Sequence, residues 1–100
     1  MGPPMELTIF ARFHAMDGQA DAVAAAIREV VAATSQEPGC REIRPYRSTR
    51  DPRLFYIHSR WTDEAAFDLH AELPHTVKFL ATVEALIDHR FDINRVREME

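Results

Sequence analysis

The stretch from Leu54 to Trp61, LFYIHSRW, places the tightest limit on what this chain can become. Phe55, Ile57, Ser59 and Trp61 alternate with Leu54, Tyr56, His58 and Arg60, a period of two that marks a strand. Both faces are largely apolar at their start, as in a strand covered on two sides. Thr62 follows as an N-cap, with Asp63 and Glu64 in a first turn where the helix dipole favours acids. A helix from there to about Glu72 sets His70 three residues after Phe67 and four after Ala66, on one side. Trp61, Phe67 and His70, residue types suited to holding an aromatic molecule, thus fall within a single strand–turn–helix unit.

The other elements follow by the same rules. Glu6 to His14 alternates Leu7, Ile9, Ala11 and Phe13 against Thr8, Phe10, Arg12 and His14, a first strand. Met16-Asp17-Gly18 is a turn in which Gly18 can take a positive φ. From Gln19 to Gln36 the residues Ala20, Val23, Ala24, Ile27, Val30, Val31 and Thr34 repeat at helical spacing. Pro38-Gly39 ends that helix. Cys40 to Ser48 reads as a second strand, and Pro45 assigns it to an edge or a bulge. Pro74 breaks the second helix and opens a third segment at its first turn. His89 to Val96 is the last strand.

The order β-α-β-β-α-β, with its second helix in two pieces, predicts an α+β, ferredoxin-like antiparallel sheet with helices on one face. Its other face would carry Thr8, Phe10, Leu54, Tyr56 and His58, too apolar to leave wet. A second copy packed face to face would cover it, so a homodimer is expected. The chain of 100 residues fits one domain. The expectation is an unstructured lead-in over 1–5 and a single domain over 6–97. A net charge of −4 argues against a nucleic-acid partner. No apolar run reaches the length of a membrane span, no secretory signal is present, and Cys40 is the lone cysteine, so neither a disulfide nor a thiolate zinc cluster is expected. These features together predict a cytoplasmic protein. No two of His58, His70 and His75 stand four apart on a helix, which argues against a metal site.

Taken together, several stretches resemble the antibiotic biosynthesis monooxygenase (ABM) family. They are the strand IFARF with Gly18 after it, EPGC at 37–40, YRSTRDP at 46–52, FYIHSRWTDEAAFDLH at 55–70 and LPHTVKFL at 73–80. The resemblance implies a dimeric α+β barrel with a pocket between sheet and helices. Several members oxidise electron-rich hydroxyaromatics with O2 and no flavin, haem or metal. Trp61, His70 and His75 match the family's tryptophan at the end of the third strand and its two histidines. Where the family commonly has Glu and Tyr, this chain has Ser59 and Ile43. A carboxylate to orient a base and a phenol to hold a substrate are therefore expected to be missing. Ala11 stands where haem-degrading relatives carry Asn, which argues against haem cleavage.

A cofactor-free monooxygenase must deprotonate its substrate, and histidine titrates in the right range for that base. His70 is the candidate, with Trp61, Phe67 and Phe79 as walls, Ser59 as a polar contact and His75 at the pocket mouth. The bland alternatives are a core-edge histidine for His70, a core anchor for Trp61 and a small filler for Ser59. The leading expectation is a cofactor-independent monooxygenase acting on a small hydroxyaromatic or quinol. Its rivals on the same fold are a non-catalytic ligand-binding or stress-response module and an isomerase or lactone-handling enzyme.

Overall fold

The computed structural model describes residues 6–100, so the lead-in expected over 1–5 lies outside the described residues. The elements are β1 (Leu7–His14), α1 (Ala20–Thr34), β2 (Cys40–Arg47), β3 (Leu54–Trp61), α2 (Glu64–Glu72), α3 (Pro74–Glu84) and β4 (Asp92–Val96). Strand pairs are antiparallel in the order β2-β3-β1-β4, which is the ferredoxin-like sheet. Pro45 sits on the edge strand β2, where its missing N–H costs no ladder bond. No helix among the described residues is long and apolar enough to cross a membrane.

The strand periodicity holds residue by residue. Leu7, Ile9, Ala11 and Phe13 of β1 are buried beneath the helices, as are Phe55, Ile57, Ser59 and Trp61 of β3. Val23, Ala24, Ile27, Val30 and Thr34 are the buried stripe of α1. Gly18 takes φ 80°, the left-handed conformation its turn requires.

Three of the boundaries that differ from expectation have a visible cause. The cap of α2 is Asp63 rather than Thr62, its carboxylate accepting the backbone N–H of Ala66 at 2.8 Å. A carboxylate one residue later captures the same orphan donors and adds a favourable charge at the N-terminus. Helix α1 ends at Thr34, ahead of Pro38, and the released chain turns through hydrogen bonds from Glu37 N–H to Thr34 C=O and from Cys40 N–H to Glu37 C=O. The last strand begins at Asp92 rather than His89, because His89 instead caps the end of β1, its Nε2 accepting the backbone N–H of His14 at 2.8 Å.

Two apolar clusters form inside the sandwich. The larger joins Phe13, Phe55, Ile57, Val23, Ile27, Val30, Phe79, Val83 and Ile87, and the smaller joins Leu7, Ile9 and Trp61 with Phe67 and Ala66. The small residues Ala11, at the edge of the larger cluster, and Ser59 occupy the inner sheet face, with Ser59 opposite Ile9 and Ala11 opposite Ile57. Because neither reaches the helices, the interior stays open there. The outer sheet face carries three exposed aromatics, Phe10, Tyr46 and Tyr56.

Candidate functional site

The opening is a cavity of ≈ 150 Å³ between sheet and helices. Ile9, Ala11, Phe13, Ile57 and Ser59 line its floor, Val30 and Thr34 one wall, and Phe67, His70, Thr76 and Phe79 the roof. Its surface is almost wholly apolar, interrupted by a few polar groups, the usual make-up of a small-molecule site.

His70 stands in the last turn of α2 and is buried. Its ring lies 4.6 Å from the Trp61 ring and 5.4 Å from the Phe67 ring, centroid to centroid, so the two aromatics hold its orientation. Its Nδ1 is 2.8 Å from Oε2 of Glu37. The same oxygen lies 2.6 Å from Nε2 of His75, and Thr76 Oγ1 is 3.2 Å from His70 Nδ1. A carboxylate accepts, so Nδ1 carries the hydrogen in the neutral ring and Nε2 keeps the lone pair. Among the described residues Nε2 of His70 has no hydrogen-bond partner, and the ring forms part of the cavity wall.

Glu37 corrects one expectation. The carboxylate thought to be lacking with Ser59 is supplied by the EPGC stretch, from the turn between α1 and β2. Packing at Gly39 brings it there. A Cβ at that position would lie 2.6 Å from the Cβ of Ala66 on α2, and the Gly39 carbonyl accepts the N–H of Thr62 at 3.0 Å. Only a residue without a side chain lets the turn press this closely on α2 and bring Glu37 against His70. The signal that could have found it is the sequence EPGC itself, whose glycine marks a close approach and whose glutamate is its neighbour by two.

Ser59 and Trp61 act as a unit. The indole Nε1–H donates to Ser59 Oγ at 2.9 Å. Ser59 borders the cavity, while Trp61, 1% exposed, lies behind it in the smaller cluster and is not part of the cavity wall. Having accepted from Trp61, Ser59 retains its own hydroxyl hydrogen for a molecule in the cavity. Phe67 and Phe79 both border the cavity. His75 does not; it lines a smaller groove between α1 and α3 and reaches the site through Glu37. Thr34 was placed on the buried stripe by its spacing alone. It borders the cavity with a buried Oγ1 that has no hydrogen-bond partner among the described residues. At Cys40 burial pushes the thiol up and the charge of Glu37 pushes it further, which disfavours the thiolate.

The chain matches the model of the antibiotic biosynthesis monooxygenase family over residues 7–82. Solved structures share its fold. The protein PA3566 from Pseudomonas aeruginosa is 28% identical, with a TM-score of 0.89 and 100% of each chain covered. A crystal structure of an antibiotic biosynthesis monooxygenase is 24% identical, with a TM-score of 0.88 over 94% of this chain and 99% of that one. Rv0793 from Mycobacterium tuberculosis is 22% identical, with a TM-score of 0.89 over 95% and 96%. Among curated proteins none matches.

Proposed function

Given that the chain belongs to the antibiotic biosynthesis monooxygenase family, we propose that it oxidises a small hydroxyaromatic or quinol with O2, without a cofactor. The observation that carries this reading is His70, whose Nδ1 is held by Glu37 while its Nε2 has no hydrogen-bond partner among the described residues and its ring borders an apolar cavity. That is the arrangement of an oriented general base.

In the proposed reaction Nε2 of His70 takes the phenolic proton. Glu37 stabilises the imidazolium that results, as an acid partner does in a triad. The phenolate then passes one electron to O2, and the resulting radicals combine at a ring carbon to give a peroxide. Loss of water from that peroxide leaves a carbonyl. One oxygen atom stays on carbon, the other departs as water with two substrate hydrogens, and all four electrons come from the substrate. His70 returns its proton to the departing oxygen. Phe67 and Phe79 hold the ring. Ser59, kept in place by Trp61, donates to the second oxygen function. The apolar lining suits both the flat substrate and O2 and keeps bulk water from the peroxide.

A homodimer forms part of the proposal. Phe10 and Tyr46 are each 51% exposed on the outer sheet face, with Tyr56 beside them, and a second copy would cover them. About 800 Å² per partner is an ordinary stable interface. A rival is favoured by the same His70–Glu37 pair, which could move a proton between two substrate carbons with no oxygen involved.

The test is oxygen uptake by the metal-stripped protein against a panel of hydroquinones and naphthohydroquinones. Uptake above the autoxidation rate, lost in His70→Ala, is expected. Turnover that continues under strict anaerobiosis would replace the oxygenase with the isomerase.

A further inference from the structure

The geometry points to a second role for the same polar cluster: Glu37, His70 and His75 form a site for one divalent transition-metal ion of the Zn2+ and Co2+ class, and its occupancy withdraws His70 from proton transfer. The first half stands on geometry alone; the second rests on the function proposed above.

One ligand atom from each residue, Oε2 of Glu37, Nδ1 of His70 and Nε2 of His75, lies within 4.8 Å of the other two. Two imidazole nitrogens and a carboxylate oxygen are the donor set of many zinc sites that leave a fourth position open. In a tetrahedral site with bonds of about 2.0–2.1 Å, neighbouring ligand atoms lie roughly 3.3 Å apart. The observed 2.8 and 2.6 Å separations therefore need to widen by about 0.5 and 0.7 Å as an ion replaces the two bridging hydrogens. The donors come from three places: the turn after α1, the last turn of α2 and the first turn of α3. Spacing along one helix is blind to such a set.

The electrostatics favour a cation. The Glu37 side chain is only 10% exposed, and among the described residues no lysine or arginine is paired with it; both of its partners are histidines. A buried carboxylate answered only by imidazoles is short of positive charge, which a divalent ion supplies. His75, the more exposed of the two histidines, gives the ion a way in from the surface. Thr76 Oγ1 beside His70 Nδ1 adds an outer contact.

Occupancy has a defined consequence. A neutral imidazole has one lone pair and one N–H. An ion bound at Nδ1 takes the lone pair and leaves the hydrogen on Nε2, the proposed base, on a ring that borders the cavity. His70 would then donate a hydrogen bond there and could no longer accept the substrate proton.

The experiment uses the full, untagged chain, stripped of metal and titrated with Co2+ and then Zn2+. The expected result is one Co2+ per chain with visible ligand-field absorption, displaced by Zn2+. His75→Ala and Glu37→Gln should each weaken binding by more than the roughly 10–100-fold typical of an outer-shell loss. His58→Ala, a histidine on the outer sheet face, should bind as the parent does. Zn2+ at one equivalent should abolish oxygen uptake. Absence of the absorption, or its persistence in both ligand variants, overturns the site. Bound Co2+ in a chain that oxidises no substrate supports the site and counts against the oxygenase. Bound Zn2+ with unchanged uptake overturns the inhibitory half.

Discussion

Replacing Glu37 with Gln isolates its charge from its shape. The variant can keep the hydrogen bond to Nδ1 of His70, since an amide oxygen also accepts, but it cannot offset the positive charge His70 acquires on taking the substrate proton. With Nδ1 2.8 Å from Oε2, the centres of the two charges are about 4 Å apart. At an effective dielectric near 20, that separation is worth about 4 kcal/mol. Each 1.36 kcal/mol is about a factor of ten in rate, so complete loss is near a thousandfold. Both side chains retain a little exposure, 11% for His70 and 10% for Glu37, and solvent screens part of the interaction. The expected fall in kcat is therefore roughly 100- to 1,000-fold. The assay is initial oxygen uptake at saturating quinol, with the thermal midpoint measured in parallel to separate chemistry from folding. A variant that folds normally and turns over within about threefold of the parent, while His70→Ala is dead, would refute the reasoning.

Three further outcomes follow from other contacts. Thr34→Val replaces a buried hydroxyl that has no partner among the described residues with a methyl of the same shape, so the free protein should gain about 1–3 kcal/mol in denaturant unfolding; a loss of stability would show that Oγ1 is satisfied in solution. Gly39→Ala forces a Cβ to within 2.6 Å of Ala66 Cβ and should cost about 1–3 kcal/mol, with oxygen uptake falling as Glu37 is displaced. His14, which bridges Asp88 at 2.7 Å and Asp51 at 2.9 Å, gives a pH signature. Its hydrogen bonds to Asp88 and then Asp51 raise it above 6.5. Asp51 is held below 3.8 chiefly by the backbone N–H of Arg53, and Asp88 chiefly by His14. The histidine's contribution is thus full below 6.5 and lost as pH rises through its raised value, whereas the carboxylates contribute above 3.8 and lose it as pH falls through their lowered values. The stability difference between parent and His14→Gln should peak between those limits and shrink in alkali; a difference that grows in alkali would reverse the assignment.

Periodicity alone determined most of the framework. The period of two marked β1 and β3 and told their buried faces from their outer ones. The helical repeat of α1 named its buried residues, Thr34 among them. Pro45 marked an edge strand and Pro74 the start of α3, because proline's missing N–H and fixed φ act locally. The order of the elements, β-α-β-β-α-β, supplied the topology class, and resemblance to a family, carried by stretches such as EPGC and FYIHSRW, agreed with it. Tertiary structure decided the site. Glu37 lies 33 residues from His70 and 38 from His75, and polar groups that meet across such distances leave no periodic trace. They meet because a side-chain-free Gly39 lets one turn press on α2. The cavity likewise exists because Ala11 and Ser59, unremarkable singly, fall on adjacent strands of the inner sheet face, where neither side chain fills the space below the helices. Period showed that Trp61 points inward; only packing showed that it stands behind Ser59 and holds it. Local sequence determines which way a side chain faces, whereas what it faces depends on where distant parts of the chain come to rest.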